Sequence, residues 1–193
     1  MNLSIEMLLS IALGIGLAAS SGFRIFVPLF ALSIAAYFGI ITINEKWQWV
    51  ASTPALVILG IASITESLGY LIPFVDHALD TLAVPLAGIA GTLVMASTLT
   101  DMSPATTWAL AIVAGGGAAA TIKGVTATGR VASTATTGGL ANPAVSVAET
   151  GTAIGLSALA IFFPIIALIA VLAVFILVIW LVMKIKKRRS KSV

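Results

Sequence analysis

The apolar positions of the chain fall into eight runs, at about 7–22, 24–41, 52–73, 78–99, 104–122, 124–141, 143–163 and 165–183. Each is near the roughly 20 residues that a helix needs to cross a hydrocarbon core. Polar or helix-breaking residues punctuate them: Ser20-Ser21-Gly22 before Arg24, Pro73, Pro104, Gly138-Gly139 before Asn142-Pro143, and Pro164. No run alternates in polarity over about ten residues, as a barrel strand would. A backbone in lipid must then satisfy itself as helix, with broken pieces only inside the bundle. The expected fold is all-α, a polytopic transmembrane helix bundle of six to eight segments with broken or re-entrant helices. Two regions, 7–41 and 104–141, fit a tight hairpin of short helices, a re-entrant pair, or one long bent helix. The run 124–141, rich in small hydroxyl residues and carrying Arg130, is expected inside the protein, as a central helix or a re-entrant element.

Composition narrows the class. Hydrophobic residues make up 60% of the 193 and charged residues 9%, with a mean hydropathy of +1.15. Soluble domains are closer to one half and one quarter. Residues 1–183 thus read as a single transmembrane domain, and 184–193 as a basic tail. The absence of cysteine excludes disulfides and thiolate chemistry, and the lone His77 leaves too few ligands for zinc, so no cofactor is expected. The apolar stretch 7–19 has no basic residue ahead of it and reads as a retained first segment, not a signal peptide.

Charge sets an orientation. Six of the ten basic residues lie in the last ten positions, leaving four against seven acidic residues in the body, a net of −3. A basic cluster after a span keeps that end cytoplasmic and can hold anionic headgroups, so membrane lipids are expected partners. Nucleic acid is not, because no folded basic face accompanies the tail. Counting eight segments back from an inside C-terminus puts 45–49 inside and 76–80 outside. Trp47, Trp49, Trp108 and Trp180 fall near span ends, as interfacial aromatics do.

A faint repeat runs through the chain. Gly16 to Arg24 resembles Gly116 to Lys123, each a small-residue run closing on one cation. Downstream, Pro54 precedes Ser63-Ile-Thr-Glu66 and Pro143 precedes Ser146-Val-Ala-Glu149. Two structural repeats, about 7–99 and 104–183, are expected, an arrangement frequent in transporters.

The candidate chemistry lies in charges within these runs. An ionised group at the bilayer centre costs at least about 2.5–3.5 kcal/mol. Arg24, Glu66, Lys123, Arg130 and Glu149 must therefore face the interior, with Glu66 paired to Arg24 or Lys123 and Glu149 to Arg130 or Lys123. They are either structural ion pairs or a polar pathway. In the second reading Glu66 and Glu149 carry a cation or proton, aided by Thr65, Ser67 and Thr150, with Arg24, Lys123 and Arg130 as counter-ions. Asp76 and Asp80, four apart, cap a helix start or form an acidic mouth. Gly22, Pro73, Asn142 and Pro143 are the candidate helix breaks, and Gly151-x-x-x-Gly155 is a packing motif compatible with a homodimer. Gly115 to Lys123 lacks the ending and preceding strand of a phosphate-binding loop. No nucleophile elbow is present, so an enzyme is not expected.

These residues resemble a known family. Gly16-Leu-Ala-Ala-Ser-Ser-Gly-Phe-Arg24-Ile-Phe-Val-Pro-Leu, Glu66 to Asp80, Pro85-Leu-Ala-Gly88, and Lys123 to Glu149 are similar to a bacterial multi-pass membrane family catalogued as domain of unknown function 4126. The chain departs from that pattern at Gly69-Tyr70, where the family has an Asp-Lys pair, and at Val84, where it has an Arg. The Asn/Ser/Pro-rich stretch leading into Asn142-Pro143 is also shorter here. The resemblance implies a bacterial inner-membrane protein and supports the choice of residues, but implies no activity. The functional expectation is transport of a small solute, an inorganic cation or proton, with a non-transporting scaffold or lipid-interacting protein as the alternative.

Overall fold

The computed structural model describes residues 4–100 and 102–189, and within its helices not the side chains of 73–81, 181, 182 and 185–189. The described residues form helices joined by short turns, with no strand among them. The first is α1 (Ile5–Ser21), opened by the Ser4 hydroxyl accepting from the Met7 amide at 3.1 Å. It is followed by α2 (Phe26–Tyr37) and a 3-10 helix over Glu45–Ala51. Then come α3 (Thr53–Gly69) and α4 (Pro73–Thr98). Next are α5 (Pro104–Leu110), a π-helical turn (Ala111–Gly116) and α6 (Gly117–Thr137). The chain closes with α7 (Asn142–Phe162) and α8 (Pro164–Arg189).

The boundaries follow local chemistry. Ser52 and Ser103 cap α3 and α5, each with proline in the first turn, where its missing N–H costs nothing. Gly138, at φ 62°, ends α6 in the left-handed conformation that glycine adopts without strain. Phe163 alone separates α7 from Pro164.

This is a membrane-protein helix bundle. Large apolar side chains stand exposed along α3 (Ile58, Ile61, Ile64) and α8 (Ile166, Ile169, Ile176), where lipid would cover them. The continuous helix Pro104–Thr137 and α7 are each long and apolar enough to cross a membrane. The 3-10 helix and α3 could together form one span bent by 66°. By contrast α1 and α2, at 17 and 12 residues, reach only about 25 and 18 Å. They form a hairpin that enters the bundle and turns back at residues 22–25. The core beside it gathers Leu13, Leu17, Leu32, Val94 and Ala160.

Of the forms open to 104–141 the structure selects the single helix, and that choice changes the end assigned to the earlier segments. The runs 104–122 and 124–141 are one helix: the π-helical turn carries the chain through Ala111–Gly116 and nothing breaks it at Lys123-Gly124. Its second half is not enclosed at the bundle centre, since Val125, Thr128 and Val131 are exposed. The merger changes the parity of every earlier segment. Glu6, Glu45, Trp47, Pro104 and Pro164 all line one cavity, so they share one end of the bundle. From Pro164, α8 runs 26 residues, about 39 Å, away from that end. The 45–49 segment therefore lies opposite the basic tail, not beside it. Residues 76–80 open α4, whose far end reaches the same cavity at Ala96, so they lie at the tail's end.

Candidate functional site

The site begins at the tip of the α1–α2 hairpin. The last amides of α1 and its turn are satisfied locally, with Gly22 donating to the Ala19 carbonyl and Arg24 to that of Ser20. The first amides of α2 have no such partner, and the residue ahead of it offers no side-chain cap. Glu66, from α3, supplies one: its two carboxylate oxygens accept from the Ile25 and Phe26 amides at 2.8 and 2.9 Å. A negative charge here also meets the positive end of the helix dipole. The sequence expectation paired Glu66 with Arg24 or Lys123; its hydrogen bonds go to backbone, while both cations lie close enough to interact with it through charge.

Arg24 reaches from the same tip to α7. Its Nε donates to Thr150 Oγ1 at 2.9 Å, and its Nη2 to the Ser146 carbonyl at 2.8 Å and hydroxyl at 2.6 Å. Its Nη1 lies 3.6 Å from Glu149 Oε2. Glu149 also receives Arg130 of α6, through Nε at 3.1 Å and through Nη2. One carboxylate from α7 therefore joins two arginines from different elements. The pairing of Glu149 with Arg130 matches the expectation, and the sharing with Arg24 adds to it.

Tyr70, just past the end of α3 and 2% exposed, completes the cluster. Around its ring centroid stand the Arg24 guanidinium carbon at 4.1 Å, that of Arg130 at 4.5 Å and Lys123 Nζ at 4.9 Å. An aromatic face attracts cations through its quadrupole, so the ring holds three like charges near one another. Glu149 and Glu66 offset much of their mutual repulsion. All five expected charges are buried.

The supporting residues divide. Thr150 belongs to the cluster through Arg24. Ser67 donates instead to the Ser63 carbonyl at 2.8 Å. Thr65 is exposed, because the turn of α3 that directs Glu66 inward directs its neighbour outward. Asp76 and Asp80 lie among the residues whose side chains are not described, as does the Pro73 ring. Gly22 permits the tip to seat, since a Cβ there would stand 2.6 Å from the Ile122 Cβ and 2.7 Å from the Ala119 carbonyl oxygen. Asn142 opens α7, buried, with Nδ2 donating to Thr134 at 3.1 Å, and Pro143 follows it in the first turn. Gly151 and Gly155 face open space.

Sequence reasoning missed Tyr70 as a site residue and marked it only as a departure from the family pattern. Its position directly after Gly69 at a helix end gave no charge signal, and an aromatic near a span end reads as an interface anchor. Ser146 stood in the repeat and in the family-like stretch, without a role. Among the described residues no group of three or more His, Asp or Glu side chains could hold a metal ion. What the cluster offers is a buried network of carboxylates, guanidinium groups and hydroxyls drawn from α3, α6, α7 and the hairpin tip. No curated protein and no solved structure matches the chain. Residues 11–184 match the family described as domain of unknown function (DUF4126), and the chain belongs to that family.

Proposed function

We propose that this protein moves a small solute across the bacterial inner membrane, with its C-terminus cytoplasmic, along a polar path through the buried charge cluster. The observation that carries the reading is the hairpin tip: two short helices meet, among the described residues, three basic and two acidic side chains buried between them and α3, α6 and α7. Discontinuous helices that meet at buried charge are how many transporters build a midplane site. A bundle that needed only cohesion would gain as much from apolar packing, because buried ion pairs often contribute nothing net.

Both described carboxylates already accept from internal donors, so a proton fits the site better than a metal ion. Protonating Glu149 would weaken its hold on Arg24 and Arg130 together. Protonating Glu66 would weaken its hold on the first turn of α2. Either event loosens the hairpin tip, which is the element a transport cycle would move.

The test is flux in reconstituted liposomes for protons, monovalent cations and divalent cations, with wild type beside Glu66→Gln and Glu149→Gln. Proton flux should collapse in both variants while the protein stays folded. No flux in folded wild type, or flux unchanged in both variants, overturns the reading. The scaffold alternative is favoured by one observation, the complete engagement of both carboxylates by internal donors. In that case the basic tail would bind anionic lipid and the cluster would only hold the hairpin.

A further inference from the structure

At the opposite end from the cluster lies a second feature that the transport reading does not use. A cavity of about 1120 Å³ opens between the start of α1, the 3-10 helix, the end of α4 and the start of α5. Three of the four tryptophans in the chain, Trp47, Trp49 and Trp108, line it. The fourth, Trp180, lies on α8 under Lys184. An interfacial aromatic belt explains exposed indoles near span ends. It does not explain why three of them converge on one concavity from two separate elements.

Their setting is that of a built wall. Trp47 packs against two groups of core residues, around Leu13 and around Met95, which fixes its ring. Trp49 stands with its centroid 6.2 Å from that of Trp47, the planes inclined by 34°. Trp49 and Trp108 are 59% and 47% exposed, so each leaves part of its indole uncovered. The 3-10 helix that carries the pair is anchored through Asn44, whose amide donates to the Ser97 carbonyl at 2.8 Å and whose Nδ2 donates to that of Leu99 at 2.9 Å.

The charges in the same wall select the ligand. Glu6 and Glu45 line the cavity, and neither forms an ion pair among the described residues. Lys46 also lines it, leaving a net charge of −1 from these three. A small inorganic cation needs several oxygen ligands to replace its water, and among the described residues no group of three or more His, Asp or Glu side chains supplies them. A weakly hydrated cation needs none. It is drawn to indole faces by their quadrupole and to carboxylates at longer range.

We propose that this cavity binds an organic ammonium ion, with Trp47, Trp49 and Trp108 as its aromatic wall and Glu6 and Glu45 as its counter-charge. The ammonium can belong to a soluble molecule or to a choline or ethanolamine lipid headgroup, since both present the same chemistry to the wall. The proposal does not rest on transport: binding is read at equilibrium, so absence of flux leaves it standing.

The test uses the full chain, purified in a maltoside detergent that carries no ammonium group. The Trp180→Phe background places all remaining tryptophan fluorescence in the cavity. Choline should change that fluorescence saturably, and its uncharged isostere 3,3-dimethylbutan-1-ol should bind at least tenfold more weakly. Glu6→Gln with Glu45→Gln should weaken choline at least fivefold, and Trp108→Leu by a similar factor. All three positions are exposed, and size-exclusion and circular dichroism profiles confirm folding. Equal binding of the neutral isostere, binding unchanged in the variants, or no saturable response to choline overturns the proposal. Nanodiscs separate the sources: choline should still bind in phosphatidylglycerol discs, and loss of that binding in phosphatidylcholine discs identifies the headgroup as occupant. Binding retained in both discs identifies a soluble ammonium.

Discussion

Gly16–Arg24 and Gly116–Lys123 carry the same kind of sequence, a run of small residues closing on one cation, yet the first breaks into a hairpin and the second continues as helix. The difference lies in what each run meets. At the first, Glu66 accepts from the two amides that the break exposes, and Arg24 is taken up by Ser146, Thr150 and Glu149. At the second, the chain lies against α4 so closely that Cβ atoms would not fit. A Cβ on Gly115 would stand 2.6 Å from the Gly91 carbonyl oxygen, and one on Gly116 would stand 2.4 Å from Thr92 Oγ1. Both runs pack closely and both end on a cation of the cluster, but only the first has its broken end capped by a carboxylate from another helix. A small-residue run thus permits either outcome, and partners distant in sequence select it.

The strongest way to break that contrast is to remove the charge that serves the first run. Glu149→Leu removes the carboxylate that joins the buried Arg24 and Arg130, which should cost about 3–5 kcal/mol. Chemical unfolding in mixed micelles measures it. Adding Arg130→Leu should recover part of the loss, because one of the two cations that lost Glu149 is then gone. If the double variant is no more stable than the single, the pairing of Arg130 with Glu149 is not what secures the cluster. Glu66→Leu comes next. Each orphaned amide away from water costs roughly 1–3 kcal/mol, so losing both caps should cost about 2–4 kcal/mol after the turn relaxes. Hydrogen exchange should show the loss at Ile25 and Phe26 before it appears anywhere in α6.

Much of this was legible from sequence. Pro54, Pro104, Pro143 and Pro164 each sit at the first or second position of a helix, where proline chemistry puts them, and Gly138 ends one. The five buried charges announced themselves by their cost in lipid. The single helix over 104–137 was one of three forms the sequence allowed for 104–141, and the low hydropathy of the Thr/Ser/Gly stretch after Lys123 offered no local reason to prefer it. Counting that stretch as two segments is what moved the 45–49 segment to the wrong end. Nor was Glu66 as a cap legible, because the amides it serves are orphaned only once the chain has broken at residues 22–25. Tyr70 and the three converging tryptophans carry no local pattern at all; only the packing of separate elements brings them to their sites.

The smaller predictions probe the second run. Gly115→Ala must push the Gly91 backbone or the Met95 side chain aside, which should cost about 1–3 kcal/mol. Two residues along, Gly117 has nothing within 4 Å of its Cβ position. Glycine within a helix costs up to about 1 kcal/mol relative to alanine. Gly117→Ala should therefore leave stability unchanged or raise it by up to about 1 kcal/mol, in the same micelle unfolding assay. Opposite signs at neighbouring glycines would locate the restraint in the face that touches α4, not in the helix itself. A loss at both positions would mean instead that this stretch needs glycine for its π-helical backbone, and the contrast with the hairpin would then rest on local conformation and not on partners.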